Sequence, residues 1–494
     1  MKYIVGIDLG TSALKALLVA EDGTICAESS AAYPLYQERA GFSEQNPEDW
    51  YRALEDVMRV MAARPESKDI VGISFSGQMH SLVLLDQAGQ VVRPAILWND
   101  VRTTAECEQI TEALGERLLE ITKNRALEGF TLPKLLWVRE NEPENWARAV
   151  RFLLPKDYLG FRMTGQQQMD FSDAAGTLLL DLARREWSAE MLERFDLPVT
   201  LCPRLVASTD RIGTVLPELA AEWGLPEGIA VFAGGADNAC AAVGAGILAE
   251  GSAMLSIGTS GVFLTVAKCA EQAYQGKLHL FAHAAADRFY AMGVTLAAGH
   301  SLSWFKEQFA KESTYEELLA DTSELAPGSD GLLFAPYIMG ERTPYPDSQI
   351  RGSFIGIDGR HTRRHFAKAV LEGITFSLRD SMALMEQHTD AHFSEIISVG
   401  GGAKNSDWLQ MQADIFNVPI RTLKSEQGPA MGAAMIAAVG AGLYETLEEA
   451  AERLVAYAEV YTPNAAAVQE YQRVYALYRQ IYPATRALSH QLRK

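Results

Sequence analysis

Cysteine is scarce. The 494 residues hold five (Cys26, Cys107, Cys202, Cys240 and Cys269), an odd number with no CxxC pair. That excludes a disulfide framework as the scaffold and leaves no zinc-finger spacing. Positive charge is also short: 44 Lys and Arg stand against 63 Asp and Glu, for a formal net charge of −19. That balance argues against a general binder of nucleic-acid backbone, which needs a basic face, and leaves room for a local basic pocket that holds a nucleotide. No apolar run has the length and continuity of a membrane span. The opening MKYIVGIDLG reaches Asp8 before a signal-length stretch develops, and Gly428 to Tyr444, the nearest other candidate, is short, glycine-punctuated and broken by Pro429. It reads better as a buried helix, and the chain as cytoplasmic. Two nucleotide signatures are missing as well. There is no GxxxxGK[ST] loop, and Gly244-Ala245-Gly246 with Ala249 fits GxGxxA but follows an apparent helix rather than a strand.

What is present is a soluble-protein balance, 48% hydrophobic and 22% charged, in a chain too long for one ordinary core. Residues 3–7 and 13–19 read as strands around a polar knot, Asp8-Leu9-Gly10-Thr11-Ser12, and 23–29 continues the meander. Asn46 and Pro47 then open a helix with acids in its first turn. Residues 70–76 and 80–86 are β-rich, helical patterns dominate 103–150, and 228–247 reads as strand, glycine turn and helix. MLSIGTSGVFLTV (254–266) repeats the opening: an apolar run, a Gly-Thr-Ser tip and a second apolar run. Gly258-Thr259-Ser260 follows Gly10-Thr11-Ser12 after half the chain. The repeat predicts two like-built α/β lobes, 1–246 and 247–494, with a cleft between them. Tyr471, Tyr475, Tyr478 and Tyr482 recur at helical spacing and are expected to form a packed face.

Small residues and hydroxyls at a tight turn suit phosphate oxygens, because glycine lets backbone N–H groups come close. Asp8 would repel a phosphate but could hold magnesium through water. Asp237 follows a glycine turn at a helix start, where a carboxylate can cap the helix or take a proton from an attacking hydroxyl. Spacing alone leans to the cap. GQMHS (77–81) and ILWNDVR (96–102) bring a histidine, amides, an indole and a charged pair into two loops suited to a small polyol. Three glycines and Asn405 before a helix (398–414) could seat a flat ring or be a plain joint.

Longer stretches carry a resemblance. GFTLPKLLWVREN (129–141), with Lys134 and Trp137, and GGGAKNSDWLQMQADIFNVPI (400–420) resemble the two signatures of the FGGY carbohydrate kinases, and the likeness runs from residue 3 to about 482. The segments SGQMHSLVLLD, RPAILWNDVRT, LPKDYLGFRMTG, DFSDAAGTLLLD, PYIMGERTPYPD and QGPAMGAAMIAAVG are most similar to members acting on D-xylulose. The resemblance implies a two-lobed, actin-like fold of ribonuclease-H type, with ATP and Mg²⁺ in the cleft. It implies transfer of the γ-phosphoryl group to a primary hydroxyl, with Asp237 as general base and Asp8 on the metal. Gly10, Thr11, Ser12, Lys15, Gly258, Thr259, Ser260, Gly401, Gly402 and Asn405 would serve ATP. Met79, His80, Trp98, Asp100 and Asn238 would line the sugar site. Ser81 departs from the glycine of many relatives, and whether its side chain narrows that site and alters the sugar preference is left open. Another pentulose, gluconate or a polyol are alternative acceptors, and an actin- or chaperone-like ATPase is a more distant alternative. A homodimer is left open.

Overall fold

The computed structural model describes residues 1–492 except 271–273 and 390. Two mixed sheets organise it. The first has six strands in the order Arg211–Thr214, Ala230–Ala236, Ile70–Gly77, Tyr3–Leu9, Ala13–Ala20 and Ile25–Ala32. The second has seven, in the order His279–Ala282, Phe289–Thr295, Gly261–Ala267, Ser252–Ile257, Glu395–Gly400, Ile420–Leu423 and Tyr457–Tyr461.

The two sheets share a plan. In each, a strand hairpin with a third antiparallel strand on its outer side is followed, on the other side, by two parallel strands. Parallel strands need long crossovers, and the helices between them supply these. The central strands are buried on both faces, which is why IVGIDL and SAMLSI read as near-continuous apolar runs. The shared plan bears out the actin-like α/β expectation. The matched hairpins differ in one respect. Asp8 faces Lys15 across the first, whereas Ser256 faces Val262 across the second. Charge was placed in one copy only.

Helix Pro47–Ala62 begins as expected, with the Asn46 side chain accepting from the Glu48 N–H and Pro47 in the first turn. Its apolar stripe, including Trp50, Leu54, Val57 and Met61, is buried. Gly428 to Tyr444 is indeed a buried helix, Pro429–Gly440. It crosses to the first sheet, although its neighbours in sequence build the second. Two glycines permit the approach. A Cβ on Gly6 would lie 2.1 Å from the Ala430 carbonyl oxygen, and one on Gly432 would lie 1.8 Å from that of Cys240 in helix Asp237–Gly244. Backbone is thus packed on backbone where the halves join. The C-terminal tyrosines pack as expected: Tyr471 and Tyr478 are buried, and Phe376 lies beside Tyr471, Tyr475 and Tyr478. No helix among the described residues is long and apolar enough to cross a membrane.

Gly432→Ala should cost roughly 3 kcal/mol, because the added methyl meets backbone that cannot turn aside. Urea unfolding measures it, and a change below about 0.5 kcal/mol, the range of neutral surface substitutions, would contradict the close helix contact.

Candidate active site

The site is assembled at the ends of central strands. Asp8 stands one residue before the end of Tyr3–Leu9, level with Ser76 on the neighbouring strand. The tip that follows is closed by the Gly10 N–H on the Ala13 carbonyl, 3.1 Å. The Tyr33 hydroxyl donates to the Gly10 carbonyl, and the Gln45 amide donates to that of Thr11 at 2.7 Å. These bonds hold the tip's carbonyls on the protein, and the Thr11 and Ser12 N–H groups take no part in that bonding. At the second tip, the Gly258 N–H donates to the Ser260 carbonyl. The Gly258 and Thr259 carbonyls accept from the first N–H groups of helix Gly299–Phe309. Gly258 and Thr259, with Gly401, Gly402 and Asn405, line a cleft of about 740 Å³. Asn405 also caps the next helix, its side chain accepting from the Trp408 N–H at 2.8 Å.

Asp237 is the first residue of helix Asp237–Gly244, and the cap position belongs to Ala236. This corrects the helix-cap reading. One Asp237 oxygen accepts from the Asn238 N–H and side-chain amide, at 2.7 and 2.9 Å. Burial pushes its carboxyl up to about 7, and the Asp8 charge pushes the same way. Burial also raises Asp8 to about 6, against the opposing pull of Ser76 and Lys15. On its other side Asp237 shares a cavity of about 190 Å³ with Ser256, on the strand that leads to the second tip. Asp237 therefore lies between the two hairpins. Lys15 reaches across instead, with its Nζ 2.7 Å from Gln427 Oε1 and 3.1 Å from Glu28.

The 77–81 loop supplies the next wall. Met79 is buried, with its sulfur 3.8 Å from the Asn238 amide and 3.7 Å from the Tyr290 hydroxyl. His80 has φ of +68°, a left-handed conformation costly for a residue other than glycine. Its Nδ1 lies 2.7 Å from the Gly176 carbonyl oxygen, which can only accept. The proton is therefore on Nδ1, and Nε2 is left as an acceptor. Burial pulls this imidazole down to about 3, helped by the Lys134 and Arg342 charges, so it is neutral at physiological pH. Trp98 is 39% exposed and donates from its indole to Thr11 Oγ1 at 2.9 Å, joining the second loop to the first tip.

One sugar-site expectation needs correction, and the question left open at Ser81 is answered. Asp100 does not face the cleft. It is fully buried, and its carboxylate accepts from the Ser43 N–H and from the Arg102 N–H and guanidinium. Ser81 does not narrow the site either: it is fully buried, and its Oγ donates to Gln78 and accepts from the Trp98 N–H at 3.0 Å. Both residues hold loops in place.

Reading single motifs missed the cluster beneath the site. Lys156 Nζ lies 2.5, 2.9 and 3.1 Å from Asp157, Asp170 and Asp173, all buried. Ser172 donates to Asp170 and accepts from the Ala236 N–H, so the cluster anchors the corner that carries Asp237. The carboxylates are close enough together to hold a metal ion, and Lys156 already occupies their centre and offsets one of their charges. The sequence signal was the pair of segments 154–165 and 170–181, whose meeting in space no spacing rule reveals.

A desolvated, half-buried carboxyl near hydroxyl-bearing glycine tips, with an amide on it and a neutral histidine in the neighbouring loop, is the equipment of an actin-like phosphotransferase. Residues 3–244 match the N-terminal domain of the FGGY family of carbohydrate kinases and residues 253–441 match its C-terminal domain. The chain belongs to that family and is a carbohydrate kinase. It is 54% identical to the xylulose kinase of Bacillus subtilis, over 100% of this chain and 99% of that one. Among solved structures it resembles the ligand-bound xylulose kinase of Lactobacillus acidophilus (TM-score 0.95, 28% identity, all of both chains). It also resembles the gluconate kinase of that organism (TM-score 0.94, 28% identity, 99% of both chains). The fold alone does not choose the sugar.

A carboxyl held near 7 in the folded protein, against about 4 in the unfolded chain, costs stability as pH rises between those values. The penalty is absent below pH 4 and complete above 7. Asp237→Asn should therefore raise the thermal midpoint at pH 8 and leave it nearly unchanged at pH 4.5. Equal shifts at both pH values in calorimetry would contradict the buried-acid assignment.

Proposed function

We propose that this enzyme transfers the γ-phosphoryl group of ATP to the primary hydroxyl of D-xylulose, giving D-xylulose 5-phosphate and ADP, and that it works in the cytoplasm. The observation that carries the reading is Asp237: a carboxyl between the two hairpins, next to His80's loop, with an affinity for protons matched to neutral pH. As the sugar oxygen attacks phosphorus, its O–P bond forms and the bond from the γ-phosphorus to the β–γ bridging oxygen breaks. Asp237 takes the hydroxyl proton, and the protein releases it to water after the products leave. The N–H groups and hydroxyls of Thr11, Ser12, Thr259 and Ser260 receive the phosphates, with Lys15 close to the first tip. Adenosine lies along Gly401, Gly402 and Asn405. His80 Nε2 accepts from a sugar hydroxyl, while the Asn238 amide and the Trp98 ring bound the pocket. Met79 forms its floor.

The residues suit Mg²⁺. Asp8 and Asp237 are half-buried carboxyls that repel each other, a conflict a divalent cation relieves. Mg²⁺ needs only one or two carboxylates when phosphates and water complete its shell. Asp8 would hold it, and when bound it would offset charge on the phosphate oxygens. Identity of 54% over the whole chain favours D-xylulose over the gluconate of the structural neighbour.

ADP release in a coupled assay over D-xylulose, D-ribulose, D-gluconate and glycerol tests the substrate. D-xylulose should give the highest kcat/KM, and ATP turnover indifferent to every sugar would overturn the reading. Asp237→Asn should lower kcat by about 10²–10⁴-fold, with the KM for ATP little changed. For the wild type, log kcat/KM should fall with unit slope below a pH of about 7, where Asp237 takes up its proton. A flat profile between pH 5 and 8 would remove Asp237 as the base.

A further inference from the structure

The helix Thr131–Asn141, which carries the first family signature, reaches both loops assigned to the sugar yet supplies no group to the reaction above. Lys134 is fully buried, and its Nζ donates to the carbonyls of Gly129 and, at 3.2 Å, His80. Thr131 Oγ1 donates to the same His80 carbonyl at 3.0 Å. Two side chains one turn apart thus hold the peptide that follows the left-handed φ of His80. The ring itself is fixed separately by Gly176 and by Phe130, whose centroid is 4.6 Å away. A lysine buried with only carbonyl partners is expensive, and burial pulls the Lys134 ammonium down to about 7. Fixing a strained turn is a specific return for that cost.

Trp137, one turn further on, serves the second loop. The Arg102 guanidinium carbon lies 4.7 Å from the Trp137 ring centre and 3.7 Å from that of Phe42. Held in this aromatic bracket, Arg102 pairs with Asp100 at 2.7 Å, and Asp100 accepts from the Ser43 N–H. The 96–102 loop that presents Trp98 is tied down in this way. Ser81 then joins the two loops through the Trp98 N–H.

We infer that the signature helix is the brace that sets the shape of the sugar pocket, with Lys134 the positioning residue for His80 and Trp137 the positioning residue for the Trp98 loop. Lys134 acts through a peptide carbonyl, so its removal should loosen His80 without touching the phosphate tips or Asp237. This inference rests on the reading that His80 contacts the sugar.

The test is steady-state kinetics of Lys134→Met, Thr131→Val, His80→Ala and the Lys134→Met/His80→Ala double variant, each checked for folding by its melting transition. Lys134→Met should raise the KM for D-xylulose about 10- to 100-fold, with kcat and the KM for ATP within about twofold of wild type. These figures correspond to the loss of one or two hydrogen bonds. Thr131→Val, which removes one donor with little change in shape, should move the same constant in the same direction and by less. It keeps the test open should Lys134→Met not fold. In the double variant the two effects should fail to add, because the lysine acts only through the histidine. Additive effects, or equal losses in kcat and in both KM values, would overturn the brace. If His80→Ala leaves the KM for D-xylulose unchanged, the sugar-site reading fails first. A normal sugar KM in both Lys134→Met and Thr131→Val beside a raised one in His80→Ala defeats only the brace.

Discussion

Two half-buried acidic side chains, Asp8 and Asp237, face one cleft and repel each other, and the elements around them are arranged to bear that repulsion. Strand Ile70–Gly77 lies between the strands that present them, so their backbones are about 10 Å apart at the usual strand spacing. Among the described residues, neither acid has a bonded cation of its own. Lys15 eases Asp8 from across the hairpin, and Asn238 gives Asp237 two hydrogen bonds. Beneath them, Lys156 neutralises one of three further carboxylate charges and holds the corner from which Asp237 projects. The fold tolerates the stored charge because the surrounding core is extensive. The charge leaves a proton acceptor poised near neutral pH, which a solvent-exposed aspartate is not.

Much of this was legible in the sequence, and the reasons differ by element. The two hairpins could be read because a buried central strand is apolar throughout and a glycine-hydroxyl tip stands out between two such runs. The buried helix at 429–440 could be read because it lacks charge. Its destination could not: that it packs on the first sheet depends on Gly6 and Gly432, which look like any other glycines in the chain. Spacing alone could locate Asp237 but not choose its role, since capping and proton transfer ask for the same residue at the same place; only the family resemblance pointed to the base. What separates them is burial and the neighbouring Asp8.

The misreading of Asp100 and the open question at Ser81 have a common cause. Asp100 and Ser81 sit in loops of the right composition, and a polar side chain in such a loop is naturally assigned to the ligand. In the fold each turns inward and bonds to backbone N–H groups, Asp100 to Ser43 and Ser81 to Trp98. The direction of one side chain is set by the packing of both loops, which local pattern does not encode. Lys134 shows the converse. Its place in a long signature was visible, but its service to His80 depends on a carbonyl more than fifty residues earlier in the chain.

Helix Pro429–Gly440 is decoded late in the chain, follows a strand of the second sheet, and is seated against the first. Its backbone contact with Gly6 lies two residues from Asp8. Within 28 residues the same segment runs from Gly401, at the cleft beside the second tip, to Pro429, where this helix begins. The covalent chain is therefore itself a linkage between the two halves. Any displacement of the second sheet relative to the first therefore loads the glycine contact, because one short segment is tied to both.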